Sequence, residues 1–132
     1  MKFHPDIRVF GDVSYRNKKC PSESIEQITF FNYIRDRESL AFHCKNDGKK
    51  SYGQAARQKA QGLTKGVPDI MIPAKVPFLC ELKRQDHTCS KWQDGQQEYL
   101  LLAQEKGCFV CVALGHQAAI NAYNYWSDHI SK

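Results

Sequence analysis

Apolar and polar positions follow two different periods along this chain. Phe78-Leu79-Cys80-Glu81-Leu82-Lys83 and Asp69-Ile70-Met71-Ile72 are short apolar runs joined by Pro73-Ala74-Lys75-Val76-Pro77, which predicts a β-hairpin. Cys108 to Leu114 is apolar throughout and predicts a strand buried on both faces, central in a sheet. Leu40 to Cys44 predicts a further strand, and Ile7 to Phe10 and Val13 to Tyr15 predict two short ones around Gly11-Asp12. Elsewhere the spacing is helical. Ser24 and Gln27 fit a capping box, and Ile25, Ile28, Phe31 (or Phe30) and Ile34 recur at the spacing of one helix face, ending near Arg35-Asp36-Arg37. Gln54 to Gln61 predicts a short helix stopped by Gly62. Gln93 to Lys106 predicts a longer one, with Tyr99, Leu102 and Ala103 apolar and Gly107 as its stop. Ala118 to Ile130 predicts a last helix carrying Ile120, Tyr123 and Trp126 or Tyr125. This order of elements predicts an α/β (α+β) fold, a central mixed β-sheet flanked by helices. One domain spans residues 1–132, with 1–20 as a peripheral N-terminal segment.

Composition narrows the class. The chain has 132 residues, 42% of them hydrophobic and 25% charged, ordinary for a soluble globular domain. No apolar stretch is long enough to span a bilayer, and Met1 to Asp6 lacks the apolar core of a secretion signal, so an intracellular protein with no membrane partner is expected. The six cysteines then read as reduced thiols, most of them packed as small hydrophobes. Cys108 and Cys111 have the gap of a zinc half-site, but an extended strand points them to opposite faces and no second pair completes four ligands.

Charge is localised. Between Lys45 and Lys65 stand Lys45, Lys49, Lys50, Arg57, Lys59 and Lys65 against Asp47 alone, so this segment carries the whole formal excess of +5. Such a run is either a solvated face or the footprint of a polyanion. The residues after Lys65 decide between them. Asp69 opens one predicted strand, and Glu81 and Lys83, two apart, share a face of its hairpin partner while Leu82 points into the opposite layer. Two converging carboxylates with open positions suit Mg²⁺, which polarises a phosphoryl oxygen and lowers the pKa of bound water. An amine alongside can handle that water's proton or stabilise transition-state charge, and the Leu82 carbonyl can add a metal ligand. An isolated Glu-x-Lys is usually a solvated ion pair. Here it emerges from an apolar strand, and glycines at 62 and 66 let backbone approach a ligand just before Asp69. Pro5-Asp6-Ile7 offers a competing Pro-Asp, but no Glu-x-Lys stands nearby.

Gly62-Leu63-Thr64-Lys65-Gly66-Val67-Pro68-Asp69-Ile70 followed by Cys80-Glu81-Leu82-Lys83, with Asp69 and Glu81 twelve residues apart, resembles the PD-(D/E)xK nuclease superfamily. Gly-Val-Pro-Asp with Glu26-Gln27 upstream and Gln96 downstream is similar to its VRR-NUC branch. The resemblance covers roughly Glu26 to Leu114. It implies a restriction-endonuclease-like core, with Asp69 and Glu81 as metal-binding carboxylates and Lys83 as the catalytic lysine. It further implies that Glu26 is a first-helix acid helping to hold the metal or its water shell, and that Gln96 is a bracing glutamine. By residue chemistry alone, Glu26 also suits a helix N-terminus, where a carboxylate complements the dipole, and Gln96 suits an exposed helix position.

The implied activity is Mg²⁺-dependent hydrolysis of DNA phosphodiesters, with Mn²⁺ substituting. Stand-alone members look like structure-selective endonucleases, so a four-way (Holliday) junction is the expected substrate, in a bacterial or phage-infected cell. Cutting two strands of a junction needs two active sites, hence a C2 homodimer joined through Tyr123, Tyr125 and Trp126 or through the N-terminal segment. Lys45, Lys49, Lys50, Arg57, Lys59 and Lys65 are the expected DNA contacts, salt-dependent and indifferent to sequence. The alternatives are a flap or duplex nuclease of the same fold, a non-catalytic nucleic-acid-binding module, and a small zinc protein.

Overall fold

The structure is a computed structural model that describes residues 1–44 and 51–131. Its elements run β1 (Arg8–Phe10), α1 (Glu23–Ile34), α2 (Tyr52–Ala60), β2 (Ile70–Ile72), β3 (Phe78–Lys83), a 3-10 turn (His87–Cys89), α3 (Gln96–Glu105), β4 (Phe109–Leu114) and α4 (His116–His129). The strands form one mixed sheet in the order β1-β4-β3-β2. β4 runs parallel to both β1 and β3, while β2 closes the hairpin antiparallel to β3, with Ile70 opposite Cys80 and Ile72 opposite Phe78.

Alternation along β3 and β4 divides the interior into two cores, because successive side chains of a strand point to opposite faces. Phe78, Cys80 and Leu82 join Phe109, Cys111 and Ala113 under α1 and α4. Leu79 joins Val110, Val112 and Leu114 under Leu100 of α3. Both strands are buried along their whole length, as the unbroken apolar run of β4 predicts. Trp126 fills the larger core, its indole donating to the Val76 carbonyl at 2.9 Å. Full burial of such a side chain contributes about 2–3 kcal/mol. Cys80 and Cys111 sit side by side across the parallel pair; the Cys111 thiol and burial push the Cys80 thiol well above its ordinary range, so it packs as a neutral hydrophobe.

Several expectations need correction. Helix α1 is capped by Ser22, whose hydroxyl accepts from Ile25 N, and not by Ser24. Its buried stripe is Glu26, Phe30, Phe31 and Ile34, which turns Ile25 and Ile28 outward. A glutamate inside the buried stripe is what hydrophobic periodicity could not select. On α3 the buried residue is Leu100, and Leu102 is exposed. The 40–44 segment contributes a single bridge, Phe42 to Met71, rather than a strand, and Val13 to Tyr15 forms none. Residues 1–20 are more than peripheral, because β1 is a strand of the sheet and Ile7 and Cys20 are buried. The aromatics expected at a dimer face are used inside the chain. Tyr123 and Trp126 are buried, and Tyr125 packs between Phe10 and Phe109. The Asn46-Asp47-Gly48 turn lies outside the described residues.

Candidate active site

The antiparallel register continues one step beyond β2, which sets Asp69 beside Glu81 and Leu82. Asp69 Oδ2 accepts from the Leu82 backbone N–H at 3.0 Å. A residue of an extended strand presents its N–H and C=O on the same edge, so the Leu82 carbonyl opens on the Asp69 side too. Leu79, Glu81 and Lys83 share the α3 face of the sheet, and Gln96, the first residue of α3, meets them there. Gln96 Nε2 donates to Glu81 Oε1 at 3.0 Å, and Gln96 Oε1 accepts from Lys83 Nζ at 3.0 Å and from Gln93 N at 2.8 Å. One amide thus holds both members of the Glu-x-Lys pair. Lys83 Nζ also donates to the Lys91 carbonyl at 2.8 Å and stands 3.9 Å from Glu81.

These groups are deeply placed. Glu81 and Lys83 are each 1% exposed. Burial, the first cause, and then the Asp69 carboxylate beside it push the Glu81 carboxyl well above the usual carboxylate range, against a smaller opposing pull from Lys83. Glu81 Oε2 is buried with no hydrogen-bond partner. A buried oxygen left in this state is costly unless a further group satisfies it. A divalent cation is such a group, and two carboxylate oxygens with a backbone carbonyl are the hard donors that Mg²⁺ or Mn²⁺ takes. The residues present fit that ion.

Glycine closes the assembly. At Gly66 φ is +81°, and an added Cβ would collide with the Gly95 carbonyl and lie 2.8 Å from Gln96 N. The loop leading to Asp69 therefore rests directly on the start of α3, backbone to backbone. Lys65 and Asp94 form an exposed ion pair at the same junction. A cleft of about 660 Å³ opens here, lined among others by Glu23, Gln27, His43, Asp69 and Gln96.

Of the residues singled out from sequence, Asp69, Glu81, Leu82, Lys83 and Gln96 come together. Glu26 does not join them. Its carboxylate is 1% exposed and is used to cap α4: Oε2 accepts from His116 N and meets His116 Nδ1 at 3.1 Å, and Oε1 accepts from Gln85 Nε2 at 3.0 Å. The acid of α1 that lines the cleft is Glu23, fixed by Ser90 Oγ at 2.9 Å and close enough to Glu81 to oppose its ionisation. Glu23 and Gln27, one helical turn apart, share the face of α1 that lines the cleft, and spacing alone does not separate that face from the one carrying Glu26. His43 was also missed; its Nδ1 meets the Asp69 carbonyl at 2.8 Å. Among the basic residues, Arg57 and Lys59 are exposed on α2 and Lys65 is exposed at the rim. Lys45, Lys49 and Lys50 lie outside the described residues. All six cysteines are free thiols. Among the described residues no helix is long and apolar enough to cross a membrane.

A mixed sheet between helices, with two carboxylates and a lysine at the end of its hairpin, defines a restriction-endonuclease-like α/β architecture. Comparison with solved structures agrees. The chain is similar to a protein described as a "VRR_NUC domain protein", with a TM-score of 0.70 over 83% of this chain and 91% of that one, at 19% sequence identity. The chain has the fold of that VRR-NUC domain. No family model and no curated relative matches the sequence itself.

Proposed function

We propose that this chain is a divalent-metal-dependent endonuclease of the VRR-NUC type, hydrolysing phosphodiester bonds of branched DNA, with the four-way junction as its substrate. The observation that carries the reading is the meeting of Asp69 and Glu81, one oxygen of Glu81 buried and unpartnered, beside a lysine locked by Gln96. Asp69, Glu81 and the Leu82 carbonyl would hold Mg²⁺ or Mn²⁺, with Glu23 reaching it through water. The ion supplies Lewis-acid polarisation of the phosphoryl oxygen and a water acidic enough to ionise near neutral pH.

The chain's own groups do the rest. Lys83 places a fixed ammonium beside the carboxylates, where it stabilises charge building on the phosphoryl oxygens without reorganising during reaction. Gln96 prevents Lys83 from collapsing onto Glu81, because its carbonyl oxygen competes for the ammonium at 3.0 Å against 3.9 Å to Glu81. Arg57, Lys59 and Lys65 supply phosphate contacts next to the cleft. The active unit is a homodimer, since one chain carries one such centre and a junction is cut on two strands.

The test is cleavage of labelled four-way, flap and linear DNA side by side with Mg²⁺, comparing wild type with Lys83→Ala. The expected result is cutting of the four-way substrate by the wild type and loss of cutting in the variant. Equal cutting by both would remove Lys83 from the mechanism, and preference for flap or linear DNA would reassign the substrate. DNA binding indifferent to divalent metal, with no cleavage and no effect of Glu81→Ala, would leave a non-catalytic binding module. Sedimentation of the protein with and without junction reads the dimer directly.

A further inference from the structure

We infer that the DNA is gripped by a second basic bank, built from Lys18, Lys19 and Lys91 and fastened to the catalytic strand by Arg84. The inference rests on the proposed nuclease activity and adds where the substrate's backbone must run. Whole-chain charge hides this bank, because acids elsewhere cancel it. The structure gathers it from segments far apart in sequence.

Arg84 directly follows Lys83. Its guanidinium donates to the carbonyls of Cys20, Pro21 (3.0 Å) and Lys18 (3.4 Å), and so clamps the segment before α1 against the end of β3. A second tie comes from Asp86, whose carboxylate accepts from Asn17 N at 2.9 Å. Asn17 Oδ1 in turn accepts from Lys19 N at 3.0 Å. The 17–21 segment is therefore fixed backbone, with the side chains of Lys18 and Lys19 exposed. Lys91 is exposed as well, and its carbonyl is the acceptor for Lys83 Nζ, which places it at the catalytic lysine. Among the described residues none of these three ammonium groups forms an ion pair. The nearby carboxylates are already engaged: Asp12 with Ser14, Asp86 with Thr88 and Asn17, and Glu23 with Ser90. Arg16 lies close enough to Asp12 and Asp86 to share their charge, so the lysines carry the free excess.

The two banks are tied to the cleft through different residues. The second arrives where Ser90 holds Glu23; the first, from α2, arrives where Lys65 meets Asp94. Both Glu23 and Lys65 line the same cleft. A polyanion whose scissile phosphate sits at Asp69 and Glu81 then has cations on both of its flanks. Surface lysines held on a fixed backbone, without acid partners, suit phosphates and not bases, so the contacts track the sugar–phosphate backbone independently of sequence.

The experiment compares Lys18→Gln/Lys19→Gln with Arg57→Gln/Lys59→Gln by binding of labelled linear duplex and four-way junction in EDTA over a salt series. Each pair is expected to make the log Kd against log salt slope shallower by about 2, one contact per charge. Ethylation interference, referenced to the phosphate that the wild type cuts, should lose contacts on one side with the first pair and on the other side with the second. Lys18→Arg/Lys19→Arg should restore both readouts, and circular dichroism checks that each variant is folded. Wild-type affinity and slope in folded Lys18→Gln/Lys19→Gln, with Arg57→Gln/Lys59→Gln weakened, overturns the second bank alone. Loss of the same phosphates by both pairs overturns it also. No DNA binding by the wild type would instead sink the nuclease reading beneath it.

Discussion

Strand β3 and helix α2 both carry charge, and they do so in opposite surroundings. Every residue of β3 is buried, Glu81 and Lys83 included, and each polar group there is held by a neighbour or left pointedly short of one. Helix α2 buries none of its residues, and Tyr52 at its start is 93% exposed. It stands on local chemistry: Ser51 and Gln54 close a reciprocal capping box, and Arg57 and Lys59 fall in the last turn, where cations complement the dipole. A nine-residue helix is marginal on such terms. The difference separates two uses of charge. Buried charge is expensive and worth keeping only where a reaction needs a fixed field. Exposed charge is cheap, tolerant of movement, and suited to a flexible polyanion.

The sharpest way to break the comparison is at β3. Lys83→Ala and Glu81→Gln should each reduce junction cleavage by about 10³-fold or more, since on the proposed mechanism the first removes the ammonium beside the reacting phosphate and the second a carboxylate that would hold the metal. Single-turnover cleavage at saturating DNA measures it. Loss confined to affinity would place these residues among the binding charges with α2.

Next comes the joint between the two regions. Gly66→Ala introduces a Cβ onto the Gly95 carbonyl at a positive φ, so the loop must lift off α3. Misplacement of catalytic groups by about an ångström costs about 10²-fold in rate. Cleavage should therefore fall by about that factor, while the chemical groups themselves are unchanged. A Gly66→Ala protein with wild-type rate would show that Asp69 and Gln96 do not depend on this contact for their alignment.

How far the sequence reveals each region follows from the same contrast. The hairpin was legible because period-two alternation fixes which side chains share a face, and Asp69, Glu81 and Lys83 follow from it directly. Gln96 follows from the family pattern, and its bracing bonds form because α3 opens beside β3. The family pattern points to Glu26 as the first-helix acid, whereas the acid of α1 that lines the cleft is Glu23, one turn earlier. Which one lines the cleft is decided by long-range partners, His116 and Gln85 for one and Ser90 for the other. Buried apolar faces were mistaken where an exposed Ile25, Ile28 or Leu102 matched the helical period as well as the true core residue did. The second basic bank could not be read from net charge, since it exists only once residues 18–19 and 91 are folded together.

A smaller effect is predicted for stability. Glu81 keeps its proton in the folded chain to higher pH than in the unfolded chain, whose ordinary value is 4.5. The folded state therefore binds the extra proton, and its contribution is present in full below that value and lost as pH rises through the raised one. Urea unfolding of the metal-free protein should show stability falling as pH rises above the ordinary carboxylate value of 4.5. Glu81→Gln should flatten this slope and stabilise the metal-free chain at neutral pH, because the amide occupies the same buried position without ionising there. Mg²⁺ should recover the loss in wild type and not in the variant. A pH-independent stability in EDTA would mean that Glu81 is not left unsatisfied by the fold.

The least change in the folded protein is expected at α2. Arg57→Gln/Lys59→Gln removes no buried contact, so the urea midpoint should correspond to a shift within about 0.5 kcal/mol. Its cleavage rate at saturating DNA should match wild type, because neither side chain touches the reacting centre. Its KM should rise at low salt and depend less steeply on salt than that of wild type, in proportion to the phosphate contacts given up. Such a split, with kcat untouched and KM moved, is what uniform binding predicts for charge held outside the chemistry. A fall in kcat of the same size as the change in kcat/KM would mean instead that α2 engages the phosphate only in the transition state. The contrast between the buried strand and the exposed helix would then be one of packing and not of task.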